Sequence, residues 1–339
     1  EAGGMRDERP TVILEGPEGL GLSAAMHGLQ REISKYGVCC SYDRAGMGKS
    51  YLPRDDLRNP ETVASELAYM LVNGSNRGPP SVDIQNITWP VLPPFVLVGV
   101  SAGSVYARQF SIDYPNLTAG VVSVDALPVT GLGEGEGFAP VYSDAHKFWL
   151  EDVLYNCEHW LQPLGIFHML SDIVVAFMLP TTGRMQHDGP TTSNFWKTGF
   201  CGTMRSEYLS LFGKEGEGIQ RLKTVEESGG LSKPHIVWAR GYECWRHWTG
   251  TACGTRKPSN KAAWKWQGND TTWYDIQLSI AKNTQDPYRD PETGEVTILR
   301  GSDDTSDLAF MQNDQSQKQI ADAVFKMWAK LGYPVLPTA

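Results

Sequence analysis

The sequence predicts a doubly wound α/β fold: a mostly parallel sheet with helices on both faces, interrupted by one inserted helical segment. Three observations carry this. Four short apolar runs alternate with stretches of helical spacing before residue 125, which is the pattern of a parallel sheet. Residues 131–230 then show no strand series, and alternation resumes at about 234. The most apolar of the runs, at 95–98, leads directly into Gly99-Val100-Ser101-Ala102-Gly103 and a helix-like stretch.

Taken in order, 11–14 reads as a strand that stops at the glycine-rich loop 15–21. Residues 23–35 have helical spacing, and 38–42 form a second strand ending in Asp43-Arg44-Ala45-Gly46-Met47-Gly48-Lys49-Ser50. A helix is expected at 62–72, with Leu67, Met70 and Leu71 on one side. Residues 73–93 are rich in Pro, Asn and Gly and read as a surface loop. A buried strand at 95–98, a helix at 105–114 and a strand at 120–124 follow. The segment 131–230 holds aromatic-rich helical stretches at 148–161 and 166–179. A strand at 234–240, a last strand at 295–299 and a last helix at 317–331 close the pattern. The expected organisation is a core of 1–130 and 231–339 with a helical cap, or lid, at 131–230.

With 339 residues, 41% of them apolar, the chain can bury a large core. A net charge of −9 and the lack of any block of five Lys or Arg argue against a nucleic-acid partner. The run 173–179 is too short to span a bilayer, so no stable membrane insertion is expected. Four Asn-x-Ser/Thr sites, at Asn73, Asn86, Asn116 and Asn269, exceed the one or two that chance gives in roughly this length. The six cysteines are even in number; Cys244 with Cys253 and Cys157 with Cys201 are candidate pairs. Cys39 and Cys40 read as buried thiols on a strand. Together these favour a secreted or lumenal, N-glycosylated protein over a cytosolic one. No signal-peptide pattern opens the chain, and a secreted form is expected to be the processed one.

Gly99-Val100-Ser101-Ala102-Gly103 matches G-x-S-x-G, and its spacing has a steric reason. A serine on a sharp strand-to-helix turn is exposed only if small residues two before and two after let neighbouring backbone come close. The turn also aims a helix N-terminus at the serine. A bare match is weak, but here the strand before it and the helix after it are the required context. The rival reading of Gly46-Met47-Gly48-Lys49-Ser50 as a phosphate-binding loop fails, because its first glycine position is Asp43.

With these residues in view, the chain resembles the α/β-hydrolase superfamily over about 10–130 and 232–335. Besides the Ser101 turn, the run 40–50 is similar to that family's D-x-x-G-x-G-x-S segment, and Tyr114-Pro115 before the 120–125 strand is similar to its Y-P run. The resemblance implies a lid-containing serine esterase or lipase-like enzyme with no cofactor. Ser101 would be the nucleophile and the N–H of Ala102 one oxyanion donor. The second donor would come from the loop after the first strand. Aligned directly, Glu15-Gly16-Pro17 puts proline, which has no N–H, at the donor position. Aligned on Gly19-Leu20-Gly21, the donor is Leu20.

The acid is expected after the 234–240 strand, where Glu243 stands; Asp125 is the rival. The base is the difficulty. The family places histidine after the last strand, but 301–312 contains none, and Ser306 and Asp307 occupy its place. Serine cannot accept a proton near neutral pH, and a carboxylate at its ordinary pKa of about 4 is a poor base. Three explanations stand open: His247 reaches Ser101 from a neighbouring loop, the base position carries a substitution, or the protein does not hydrolyse. None of the seven histidines has metal-ligand spacing, so no metal is expected. Phe148, Trp149, Trp160, Phe167, Met169, Phe177 and Met178 make the 131–230 segment aromatic and Met-rich. Such a stripe is mostly packing, yet part of it should border an apolar pocket for a hydrophobic small-molecule substrate.

Overall fold

A computed structural model describes residues 9–17, 26–48, 50–51, 53, 58–73, 93–129, 154–161, 199–212, 217–239, 264–266, 269–271, 273–301 and 314–334. Within them the sheet is built from β1 (Val12–Glu15), β2 (Cys39–Ser41), β3 (Phe95–Val100), β4 (Thr118–Val124) and β5 (Leu231–Ala239). They run parallel in the order β2-β1-β3-β4-β5. A small antiparallel pair, β6 (Trp264–Trp266) and β7 (Asn269–Thr271), stands apart.

All six residues of β3 are buried, as a central parallel strand covered on both faces requires. Val96, Val98, Val100, Val122, Val124, Ile236 and Trp238 point to one face, against α1 (His27–Ile33) and the last helix. Ile13, Leu97 and Val121 point to the other, against α2 (Pro60–Asn73) and α3 (Gly103–Asp113). Each such side chain contributes roughly 1.5–3 kcal/mol by leaving water. The fold is doubly wound, as the sequence predicts.

The segment expected to be a lid is helical over 154–161, 200–212 and 217–227, with a turn at 228–229. Leu154–Leu161 is bonded through the Cys157–Cys201 disulfide to α4 (Phe200–Phe212), and α5 (Glu217–Glu227) follows. That pair is one the cysteine reading named; Cys244 and Cys253 lie outside the described residues. Cys39 is a buried thiol on β2, as expected, whereas Cys40 beside it is only half-buried.

Two features differ from expectation. A helix, α6 (Trp273–Lys282), packs Ile276, Ile280 and Ala281 beside β5 where none was foreseen. The last strand is not 295–299 but an edge in two pieces, β8 (Thr284–Pro287) along the start of β5 and β9 (Leu299–Arg300) along its end. Between them Asp290 Oδ1 accepts the backbone N–H of Glu292 and of Thr293, and Gly294 turns at φ +74°. This side-chain-closed turn lifts the chain off the sheet, leaving Val296 only an isolated bridge to Arg289. The last helix, α7 (Asp314–Lys330), anchors to the start of β1 through Trp328 Nε1, which donates to the Pro10 carbonyl at 3.1 Å. No described helix is long and apolar enough to cross a membrane.

Candidate active site

Ser101 is the first residue past β3, at φ +51°, in the left-handed region that a side chain rarely occupies. Its carbonyl accepts the Ser104 N–H at 3.0 Å and the Ser104 hydroxyl at 2.6 Å. Its N–H reaches back to the Val124 carbonyl at 3.0 Å. These bonds hold the turn against its strain. Half-buried Ser101 stands directly before fully buried Ala102, which opens α3. The two flanking glycines are required by space. A Cβ at Gly99 would lie 2.5 Å from Ser104 Cα, and one at Gly103 would lie 2.5 Å from the Gly16 carbonyl oxygen. Strand, turn and helix are thus drawn together in the way G-x-S-x-G predicts.

A residue held at positive φ stores about 1 kcal/mol or more of backbone strain. Ser101→Gly is therefore expected to raise stability by about that amount, whereas Ser101→Ala, which keeps the Cβ, is not. Urea unfolding of the two variants measures the difference; equal midpoints would count against strain at this turn.

The carboxyl ends of four strands meet beside Ser101. The Asp125 N–H donates to the Trp238 carbonyl at 2.7 Å, and the Gly301 N–H to the Ala239 carbonyl at 2.7 Å. The chain therefore leaves β4, β5 and β9 along one rim, next to the Ser101 turn. Asp125 is buried at φ +49°, and so carries strain like Ser101. Its successor Ala126 is gripped by fully buried Gln277 of α6, which accepts the Ala126 N–H at 3.0 Å and donates to its carbonyl at 2.7 Å. The Leu127 carbonyl accepts from Arg108 at 2.5 Å, and its N–H donates to the Ser104 hydroxyl at 3.2 Å. The loop after β4 and the Ser101 turn form one bonded unit. Glu243, His247, Leu20, Ser306 and Asp307 lie outside the described residues.

The loop after β1 has an unexpected anchor. Arg44 is buried, and each of its five N–H groups finds an acceptor. Nε and Nη2 bond the two carboxylate oxygens of Glu207 on α4, each at 2.9 Å. Nη1 bonds Glu15 at 2.6 Å and the Gly16 carbonyl at 2.7 Å, and Nη2 also bonds the Pro17 carbonyl at 2.7 Å. Tyr42 donates to the other Glu15 oxygen. Burial pushes the Glu15 carboxyl up while Arg44 and the Tyr42 hydroxyl pull it down; Arg44, between two carboxylates, is held well above its ordinary value and stays charged. Arg44 falls in the segment that carries the family resemblance, but its partners on β1 and α4 left no mark in the sequence.

A buried Ser123–His235 pair, 2.8 Å from Oγ to Nε2, links β4 to β5 within the sheet. Burial, and to a lesser degree the Arg108 charge, lower the His235 pKa to about 3, so the ring is neutral.

No family model matches the sequence, and no curated protein matches it. Solved structures do match in shape. A thermophilic esterase from Thermogutta terrifontis aligns over 95% of this chain and 91% of its own, at TM-score 0.52 and 12% identity. A hydrolase from Oleispira antarctica aligns over 94% of this chain and 91% of its own, at TM-score 0.52 and 12% identity. The fold is that of the α/β-hydrolases. At such identities the likeness speaks for architecture alone, and the chemistry must be argued from the site.

Proposed function

We propose that this protein is an α/β-fold serine hydrolase that cleaves an ester, lactone or amide bond of a hydrophobic small molecule. The observation that carries the reading is Ser101 at φ +51°, on a turn whose neighbouring glycines meet backbone. Simple binding has no need of a strained turn that presents a serine. Ser101 Oγ attacks the carbonyl carbon and loses its proton to a base, for which His247 is the candidate. Glu243 or Asp125 orients that base. The N–H groups of Ala102 and Leu20 receive the oxyanion. The intermediate collapses to a Ser101 acyl-enzyme, the leaving group takes the proton, and water then releases the acid by the reverse sequence. Residues 131–230 act as a lid that makes the pocket apolar, and the protein is secreted and N-glycosylated, with no cofactor.

A second reading, a hydrolase-fold receptor or a catalyst of a non-hydrolytic step, is favoured by one observation. β9 ends beside β5 at the rim, and the stretch from Gly301 to α7 has no histidine. Fluorophosphonate labelling read by intact mass separates the two. The hydrolase reading expects one adduct on the wild type, lost by at least about a thousandfold in rate in Ser101→Ala. If the folded wild type does not label, Ser306→His and Asp307→His are made separately. Labelling regained in either points to an altered base, and silence in both favours the second reading.

A further inference from the structure

We propose that Arg44 is a positioning residue for the loop after β1, and that through Glu207 it couples the placement of α4 to that loop. This rests on the reading of Ser101 as nucleophile, since the loop is where the second oxyanion donor is sought.

The loop needs an outside partner. Gly16 and Pro17 lie past the end of β1, where no strand among the described residues takes their carbonyls, and Pro17 has no N–H with which to extend the ladder. Arg44 accommodates both carbonyls at 2.7 Å. On its other side the loop rests on α3, where Gly103 leaves no room for a Cβ against the Gly16 oxygen. The Gly16 carbonyl is therefore held between the first turn of α3 and Arg44, whose guanidinium also lies over the ring of Tyr106 on α3, 5.0 Å from its centroid. The same guanidinium holds α4 in a two-bonded fork, a geometry that a lysine cannot reproduce.

α4 meets the core around Arg44 at more than this one point. Thr203, one turn before Glu207, packs so closely on the turn after β2 that a Cβ at Gly46 would lie 2.9 Å from its own Cβ. Ser206 Oγ accepts the Arg58 N–H at 2.9 Å. α4 belongs to the chain between β4 and β5, the part read as a lid, and its first turn carries the disulfide to Leu154–Leu161. A displacement of α4 thus pulls on Arg44, and Arg44 pulls on the carbonyls of Gly16 and Pro17. Burying three charged groups costs more in desolvation than an apolar contact of the same size would. The cluster's specific use is to hold α4 and the loop after β1 in one geometry.

The test uses the full chain with Glu207→Gln, which keeps the shape but replaces one acceptor with an N–H, and Arg44→Lys, which keeps the charge but loses the fork. Hydrogen exchange of peptides covering 12–17 and 199–212 is read beside the fluorophosphonate rate at saturation and the half-saturating probe concentration. Expected are faster exchange in both peptides, unchanged exchange in 95–100, the strand that leads into Ser101, and a saturating rate lower by about tenfold or more with half-saturation kept. Faster exchange confined to 199–212 with an unchanged rate overturns the coupling, as does a loosening that includes 95–100. If neither the wild type nor the Ser306→His and Asp307→His variants label, the reading of Ser101 has failed, and the exchange pattern alone decides the coupling. If Glu207→Gln does not fold, Arg44→Lys decides.

Discussion

Gly103→Ala is expected to destabilise the protein by about 3 kcal/mol, near the upper end for overpacking. The methyl group would lie 2.5 Å from the Gly16 oxygen and 2.9 Å from the Glu15 carbonyl carbon. Both are backbone atoms, one at the end of β1 and one in the loop after it, and Arg44 bonds both residues, so neither neighbour can turn aside as a side chain would. Relief requires α3 to move away from β1, which opens the Ser101 turn. The variant should therefore lose stability and labelling together. Gly294→Ala is the control: nothing lies within 4 Å of its Cβ, and φ +74° alone sets its cost, about 1 kcal/mol. Urea unfolding of both variants, with labelling rates beside it, measures the contrast. Equal destabilisation of the two would show that the α3–β1 approach is looser than the geometry states.

The second large effect is on acid stability. His235 titrates near its ordinary 6.5 in the unfolded chain but at about 3 in the folded one. Below pH 6.5 the unfolded chain takes up a proton that the folded chain refuses, so stability is lost as pH falls from 6.5 towards 3. At pH 5 the loss is about 2 kcal/mol. His235→Gln can keep a hydrogen bond to Ser123 without titrating, so it should unfold at nearly the same midpoint at pH 5 as at pH 7, apart from changes common to both proteins. Glu15 and Glu226, pushed up by burial, act in the opposite sense: each loses its contribution as pH rises through its folded value. Both proteins keep these groups, and their effect cancels in the comparison. Urea midpoints are followed from pH 7 to pH 4. Parallel curves for wild type and variant would show that His235 is not the group refusing the proton.

How much of this was legible beforehand differs by residue. The Ser101 turn was legible because its cause is local: five consecutive residues carry the steric requirement of a strand turning into a helix. The central strands were legible because burial on both faces admits little but Val, Ile, Leu and small residues, as β3 and β4 show. α6 had helical spacing in Ile276 and Ile280, a signal that was present but passed over. β8, Thr284-Gln285-Asp286-Pro287, had no strand signal at all. It is a strand because β5 offers it an unpaired edge.

The sequence by itself determined the layered α/β core, the serine and its glycines, and the gap in histidine after the last strand, since each depends on neighbours in the chain or on composition. Only the tertiary structure decided that Gln277 grips the residue after Asp125, across 151 positions, and that Arg44 joins Glu15 to Glu207, 163 positions away from it. A buried polar group must find a partner, but the chain does not say which one. Packing brings the candidates within reach, and a guanidinium or carboxamide then takes those whose lone pairs meet its N–H groups.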